Sequence, residues 1–272
     1  MPPLSVLSWN TMGRPWHGIQ KTFLDEFSRK KTYAKITAFL EKANTDIVCL
    51  QEASHYFPLH LREYLNYAGY KIAHENHGNL IASKFPFVES GEIVFENPEK
   101  IRRLKMTVYP SACSWADIQL PTAKIRIYNC QFRIRRTGIR ERLLALQRIL
   151  EHAQMIEYPI VVCGDMNTTI PRHGLKRKVI QLVHRQSKSS LVVDGKYHAS
   201  DERHAFNSVA EKFDFTEILD LKQTTWALPY TSLELFKLKL DWFLIKNAQC
   251  SEYELGPYIT DHRPILAQLH LP

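Results

Sequence analysis

No apolar run in this sequence approaches the roughly 18 residues that a membrane-spanning helix requires, so no transmembrane helix is expected. Glycine and proline are scarce, at 10 and 14 of 272 residues, which excludes collagenous and low-complexity chains. The five cysteines, Cys49, Cys113, Cys130, Cys163 and Cys250, are odd in number and contain no C-x-x-C pair. A disulfide framework and a structural zinc site are therefore both unfavoured. Cys49, Cys130 and Cys163 lie inside apolar strand-like runs and read as buried packing residues. The opening MPPLSVLSWN has neither a basic leader nor a small-residue cleavage site, so it reads as a first strand, and an unprocessed cytoplasmic protein is expected.

What is present suits a folded enzyme. Hydrophobic residues make up 44% of the chain, aromatic residues 11% and charged residues 24%, too apolar for disorder and enough for one large core or two modest ones. The formal net charge of +8 is concentrated in one stretch. Between Ile101 and Arg148 there are eleven Lys/Arg against Asp117 and Glu141, a balance of +9 that leaves the rest of the chain at −1. A localised basic surface suits a polyanion such as nucleic acid or an anionic lipid headgroup; the bland alternative is a solvated face.

Strand patterns fall at 4–9, 46–50, 80–83, 88–95, 104–109, 112–120, 125–132, 160–163, 240–245 and 264–271. Helical patterns cover 32–43 and 138–155, with a third from Pro58, well suited to a first turn, to about residue 66. Many strands with helices between them, and no repeat or linker, imply a single layered α/β (α+β) domain over 1–272. The polar, His- and Lys-rich stretch 168–213 reads as a surface insertion.

Several apolar runs end in an isolated polar or acidic residue: Asn10 after Trp9, Glu52 after Gln51, and Asp165 and Asn167 after Gly164. A carboxylate ending a buried strand must be solvated, hydrogen-bonded or bound to a metal. Asp165 and Asn167 pair a proton acceptor with an amide, although G-D-x-N is also ordinary turn chemistry. Asp241, inside the apolar run LKLDWFLI, needs a partner, either a structural Arg/Lys or a catalytic or metal group. Asp261-His262 precedes the last strand, as a capping Asp beside an exposed His or as a His oriented by carboxylates. Trp226, Leu228, Tyr230, Leu233, Leu235 and Phe236 could form an apolar lip, with core packing as the alternative.

Taken in order, Trp9-Asn10, Leu50-Gln51-Glu52, the run NLIASKFP from Asn79, Gly164-Asp165-Met166-Asn167, Lys239-Leu240-Asp241 and Thr260-Asp261-His262-Arg263-Pro264 resemble the endonuclease/exonuclease/phosphatase (deoxyribonuclease-I-like) superfamily over residues 4 to 270. The resemblance implies a four-layered sandwich of two packed, mainly antiparallel sheets flanked by helices. It also implies Mg²⁺-dependent, or Mn²⁺-dependent, hydrolysis of a phosphate ester. On that resemblance Glu52 is the main metal ligand and Asn10 supports it. Asp165 orients or deprotonates the attacking water, and Asn167 holds a phosphate oxygen. Asp241 orients the site, while Asp261 and His262 contact the phosphate and stabilise charge in the transition state. One hard carboxylate completed by waters and substrate oxygens fits what Mg²⁺ prefers.

One position departs from the pattern. Many family members carry Asn-x-His after the middle strand, where this chain has Asn129-Cys130-Gln131, and Gln131 can donate a hydrogen bond but no proton. Arg133, Arg135, Arg136 and Arg140 could supply phosphate-binding charge nearby. The sequence thus favours a monomeric nuclease acting on DNA or RNA. A phosphatase or phosphodiesterase of phospholipid headgroups or inositol phosphates is second, and a silent binding protein of the same fold third.

Overall fold

The computed structural model describes residues 2–11, 26–53, 58–76, 78–95, 112–132, 139–168, 202–227 and 237–272. In chain order the first half contributes β1 (Leu4–Asn10), α1 (Glu26–Ala43), β2 (Ile47–Gln51), α2 (Pro58–Tyr67), β3 (Lys71–Asn76), β4 (Asn79–Ser83), β5 (Phe87–Val94), β6 (Ala112–Gln119) and β7 (Lys124–Gln131). The second contributes α3 (Ile139–Ala153), β8 (Ile160–Asp165), α4 (Glu202–Lys212), β9 (Thr216–Glu217), β10 (Trp226–Ala227), β11 (Lys237–Leu238), β12 (Asp241–Lys246), β13 (Gln249–Leu255) and β14 (Ile265–His270).

Two six-stranded sheets result, one ordered β13-β14-β1-β2-β4-β3 and the other β5-β6-β7-β8-β12-β9, with β10 and β11 forming a separate ribbon. Each sheet has one parallel pair near its middle, β1 with β2 and β7 with β8, and every other neighbouring pair is antiparallel. Parallel neighbours need a crossover, and α1 and α3 lie between the paired strands in sequence.

The two-residue period of a strand sorts the apolar runs between two faces. On the inner faces Val6, Ile47, Cys49 and Ile81 of the first sheet meet Ile127, Val161, Cys163 and Phe243 of the second. On the outer face of the first, Leu7, Trp9, Val48 and Leu50 are covered by Ile36, Leu40, Leu61 and Leu65 of α1 and α2. On the outer face of the second, Tyr128, Cys130, Val162 and Trp242 are covered by Leu146, Ile149 and Leu150 of α3 and Phe206 and Ala210 of α4. The expected four layers are present. Cys49, Cys130 and Cys163 are buried and free, as their surroundings in the sequence suggested.

Three elements carry weak sequence signals. β3 and β13 are edge strands, and the solvent side of β13 is polar, so neither makes an apolar run. α4 falls inside the stretch read as an insertion, yet it buries Glu202, Phe206 and Ala210 at four-residue spacing. Residues 169–201 of that stretch, and the strand expected at 104–109, lie outside the described residues.

Among the described residues, part of the basic segment turns inward. Arg126 Nε and Nη2 donate to Asp117 at 2.6 and 2.7 Å, and Lys124 Nζ lies 3.7 Å from the same carboxylate. Arg142 is buried against Glu202 at the start of α4. Two of the eleven cations are therefore spent inside the fold.

Burial alone would push the Asp117 carboxyl up, but the Arg126 guanidinium and Tyr158 hydroxyl outweigh it and hold it below the usual carboxylate range. A carboxyl depressed in the folded state stabilises the fold above its unfolded pKa of about 3.9, and that contribution is lost as pH falls through the folded value. Asp117→Asn is expected to cost about 3 kcal/mol at neutral pH, because Arg126 is left buried beside a neutral group. Compared in urea unfolding at about pH 7 and at an acid pH below the unfolded value of about 3.9, the gap from the parent protein should be smaller at the acid pH. An equal gap at both pH values would mean that lost packing, not charge, sets it.

Candidate active site

At one end of the sandwich the inner layer changes from apolar to polar without changing face. Strand register pairs Asn10 with Gln51 in the first sheet. In the second it pairs Gln131 with Asp165, and Asp165 with Asp241. These positions continue the alternation that points Val6, Cys49, Ile127, Val161 and Phe243 inward. Both parallel pairs end here and β12 begins here, so residues distant in sequence meet at one edge.

Backbone geometry sharpens the ends. Gly164 has φ +126, and a Cβ there would fall 2.1 Å from the Cys130 carbonyl oxygen, so β7 and β8 come closer than a side chain permits. Glu52 and Asn167, directly after β2 and shortly after β8, hold φ of 56 and 50. The left-handed region is uncommon for a Glu, and such strain gathers at functional sites.

A buried amide clasp sits behind this edge. Asn129 Nδ2 donates to the carbonyls of Leu50 and Leu80, each at 2.9 Å, and its Oδ1 accepts from Gln51 Nε2 at 2.6 Å. It therefore ties β7 of one sheet to β2 and β4 of the other. In front of it, half-buried Glu52 accepts at Oε1 from Gln131 Nε2 at 2.8 Å and from Asn10 Nδ2 at 3.4 Å. Asn10 Nδ2 also donates to Asp165 Oδ2 at 2.9 Å, so one amide spans both carboxylates. Asp165 Oδ1 accepts the Asn167 backbone N–H at 3.0 Å, while Asn167 Nδ2 donates to the Phe132 carbonyl.

His262 Nδ1 stands 2.9 and 3.1 Å from the two carboxylate oxygens of Asp241, and its Nε2 lies 3.8 Å from Asp165 Oδ2. The partner that buried Asp241 requires is thus a histidine, and the His is oriented by carboxylates. Burial disfavours the His262 imidazolium, but Asp241, Asp261 and Asp165 outweigh it and raise its pKa well above the usual value. Burial also raises Asp165 to about 8, with Asp241 and Glu52 adding to it and His262 and Asn10 opposing. Burial raises the Asp261 carboxyl as well, against the pull of His262 and of a hydrogen bond from Trp226.

The donor set suits a hard divalent cation. Asp165, Asp241 and His262 offer ligand atoms within 4.8 Å of one another, although His262 Nδ1 is already committed to Asp241. Glu52 and Asn10, beside this cluster, bring oxygen donors and no thiol. Among the described residues, Asn167 Oδ1 and Asp261 Oδ1 are buried acceptors without a partner. Buried acceptors of this kind call for a donor or a cation.

The Endonuclease/Exonuclease/phosphatase family model matches residues 7–250, which takes in β1 through the start of β13. The chain belongs to the endonuclease/exonuclease/phosphatase family. Its fold is that of other solved members. An endonuclease/exonuclease/phosphatase from Bacteroides vulgatus superposes with a TM-score of 0.69 at 17% identity, over 100% of both chains. D. rerio TDP2 complexed with a single-strand DNA product gives 0.65 at 15%, over 98% of both. A mannosyl-6-phosphatase of Bacteroides thetaiotaomicron gives 0.64 at 17%, over 98% of this chain and 100% of that one. No curated protein sequence matches the chain. Members of this family are phosphoester hydrolases.

Within the endonuclease/exonuclease/phosphatase frame, Asn10, Glu52, Gln131, Asp165, Asn167, Asp241, Asp261 and His262 all fall at this one edge. Arg133, Arg135 and Arg136 lie outside the described residues, as does the side chain of Arg140. Lys124 and Arg126 belong to the other end of β7 from Gln131, about 17–23 Å away at 3.3 Å per residue. Asn129, Thr225 and Trp226 also pack into this edge; the first two were not among the expected site residues, and Trp226 was expected only in an apolar lip or in the core. Asn129 could have been suspected from its two-residue spacing to Gln131; Thr225 had no sequence signal.

Proposed function

We propose that the protein is a divalent-metal-dependent phosphodiesterase that cleaves DNA or RNA by attack of water on phosphorus. The observation that carries this reading is the Asn10 amide, which reaches Glu52 and Asp165 together although they are far apart in the chain. Mg²⁺, or Mn²⁺, held by Glu52 with Asn10 in support, would supply charge neutralisation at the phosphate and in-line orientation. Asp165 lies near the boundary of its charge states at neutral pH, the condition for accepting a proton from water. His262, fixed by Asp241 and charged, places an N–H donor where negative charge develops, and Asn167 adds its second amide hydrogen. Gln131 gives its N–H to Glu52, so it orients the metal carboxylate and does not protonate a leaving group.

That role for Gln131 has a measurable consequence. Gln131→Ala should raise the Mg²⁺ concentration for half-maximal activity by about tenfold, whereas Gln131→His, which keeps a donor, should raise it less. Activity titrated against Mg²⁺ checks this, and an unchanged requirement in the alanine variant would detach Gln131 from Glu52.

Burial of Arg126 and Arg142 favours a second reading, a phosphate ester smaller than nucleic acid, such as a phospholipid headgroup or inositol phosphate. Labelled DNA, RNA, phospholipid vesicles and inositol phosphates, each with Mg²⁺ and with chelator, separate the two. Cleavage of nucleic acid abolished by chelator supports the first. Phosphate or headgroup release with no nucleic-acid cleavage supports the second. Turnover of none would leave a binding protein.

A further inference from the structure

Thr225 and Trp226 form a bracket that touches both acidic residues flanking His262, and it sits on the small ribbon outside the two main sheets. Thr225 is fully buried, and its Oγ1 accepts the backbone N–H groups of Leu240 at 3.1 Å and Asp241 at 3.0 Å. Its own N–H donates to the Leu238 carbonyl, which pins the entry to β12 from a second side. The neighbouring Trp226 donates from indole Nε1 to Asp261 Oδ2 at 2.9 Å, the one side-chain donor that Asp261 has among the described residues. Backbone bonds complete the bracket: Ala227 N–H donates to the Asp261 carbonyl at 2.9 Å, and Arg263 N–H to the Thr225 carbonyl at 2.7 Å. Trp226 and His262 also face each other across an isolated antiparallel bridge.

Three adjacent residues thus hold the start of β12 and the 261–263 turn, two pieces of chain that do not otherwise share a strand pairing. Their separation decides whether Asp241 reaches His262 Nδ1. Asp261 is 6% exposed, with Oδ1 unpartnered, so losing the indole donor leaves a buried carboxylate with no side chain to orient it.

We infer that Thr225 and Trp226 are positioning residues, which set the geometry of the Asp241–His262–Asp261 group through hydrogen bonds rather than by contact with substrate. This rests on the phosphodiesterase reading for its effect on rate, but not for its effect on structure. The comparison is Thr225→Val, which removes the acceptor at nearly constant volume, against Thr225→Ser, which keeps it, together with Trp226→Phe, which keeps a ring and removes the donor.

Hydrolysis of bis(p-nitrophenyl) phosphate in Mg²⁺ should show kcat lowered about 10–100-fold in Thr225→Val and Trp226→Phe, the range typical of outer hydrogen-bonding partners, with KM within about threefold. Thr225→Ser should restore most of kcat. In parallel, hydrogen–deuterium exchange on the same proteins without substrate should speed up in peptides covering 238–243 and 259–264 in the valine and phenylalanine variants, and remain slow in serine. A parent protein that turns over nothing overturns the phosphodiesterase reading while exchange still judges the bracket. Unchanged exchange in these peptides, or equal loss of kcat in serine and valine, overturns the bracket.

Discussion

Asp165→Asn is expected to lower kcat by about 10³-fold while leaving thermal stability equal to or above that of the parent. The two effects diverge for one reason. Asp165 is buried beside Asp241 and Glu52, and burial raises its carboxyl to about 8. A carboxylate with a raised pKa costs stability when ionised, so its neutral isostere relieves the fold. On the proposed reading the same group accepts the proton of the attacking water, and general-base contributions of about 10²–10⁴ are typical. Steady-state kinetics on a cleavable phosphodiester, with a calorimetric scan of both proteins, measure the pair of effects. A loss below about tenfold in kcat would place the proton acceptor elsewhere.

Gly164→Ala should act on folding instead. Its Cβ would sit 2.1 Å from the Cys130 carbonyl oxygen and 2.9 Å from the Cys130 nitrogen, at a φ of +126 that side chains rarely adopt. The obstacle is backbone of the paired strand, which cannot rotate away as a side chain could. Effects above about 4 kcal/mol come from this short class of changes, strain at a special backbone conformation combined with overpacking, and little soluble protein is expected. Folded, active Gly164→Ala protein with an unchanged melting temperature would mean that β7 and β8 sit farther apart. Gly164 is thus a fold residue adjoining a chemical one.

The site's strand-end residues were legible because buried apolar strands cannot end in a carboxylate or amide without a reason. Asn10, Glu52 and Asp165 each break an apolar run, and register brings those breaks to one edge. Thr225 and Trp226 were not legible as positioning residues, because their roles depend on partners 15 to 35 residues away that only the ribbon's placement supplies. Trp226 read as a lip or core residue; its indole N–H faces Asp261. The basic segment was legible as a charge count but not residue by residue. Charge counting cannot see that Arg126 pairs with Asp117 across two strands, or Arg142 with Glu202 across two helices. The edge strand β13 escaped because its exposed polar face dilutes the alternation on which strand recognition depends.

The Asn129 clasp bears on how the two sheets meet. Greasy surfaces can slide past one another by a fraction of a residue at little cost, since contact area barely changes, but directional N–H···O links fail over such a shift. The three that Asn129 makes, with those of Asn10 to Asp165 and Gln131 to Glu52, therefore fix the offset between the sheets beside the candidate site, where aliphatic packing alone would not.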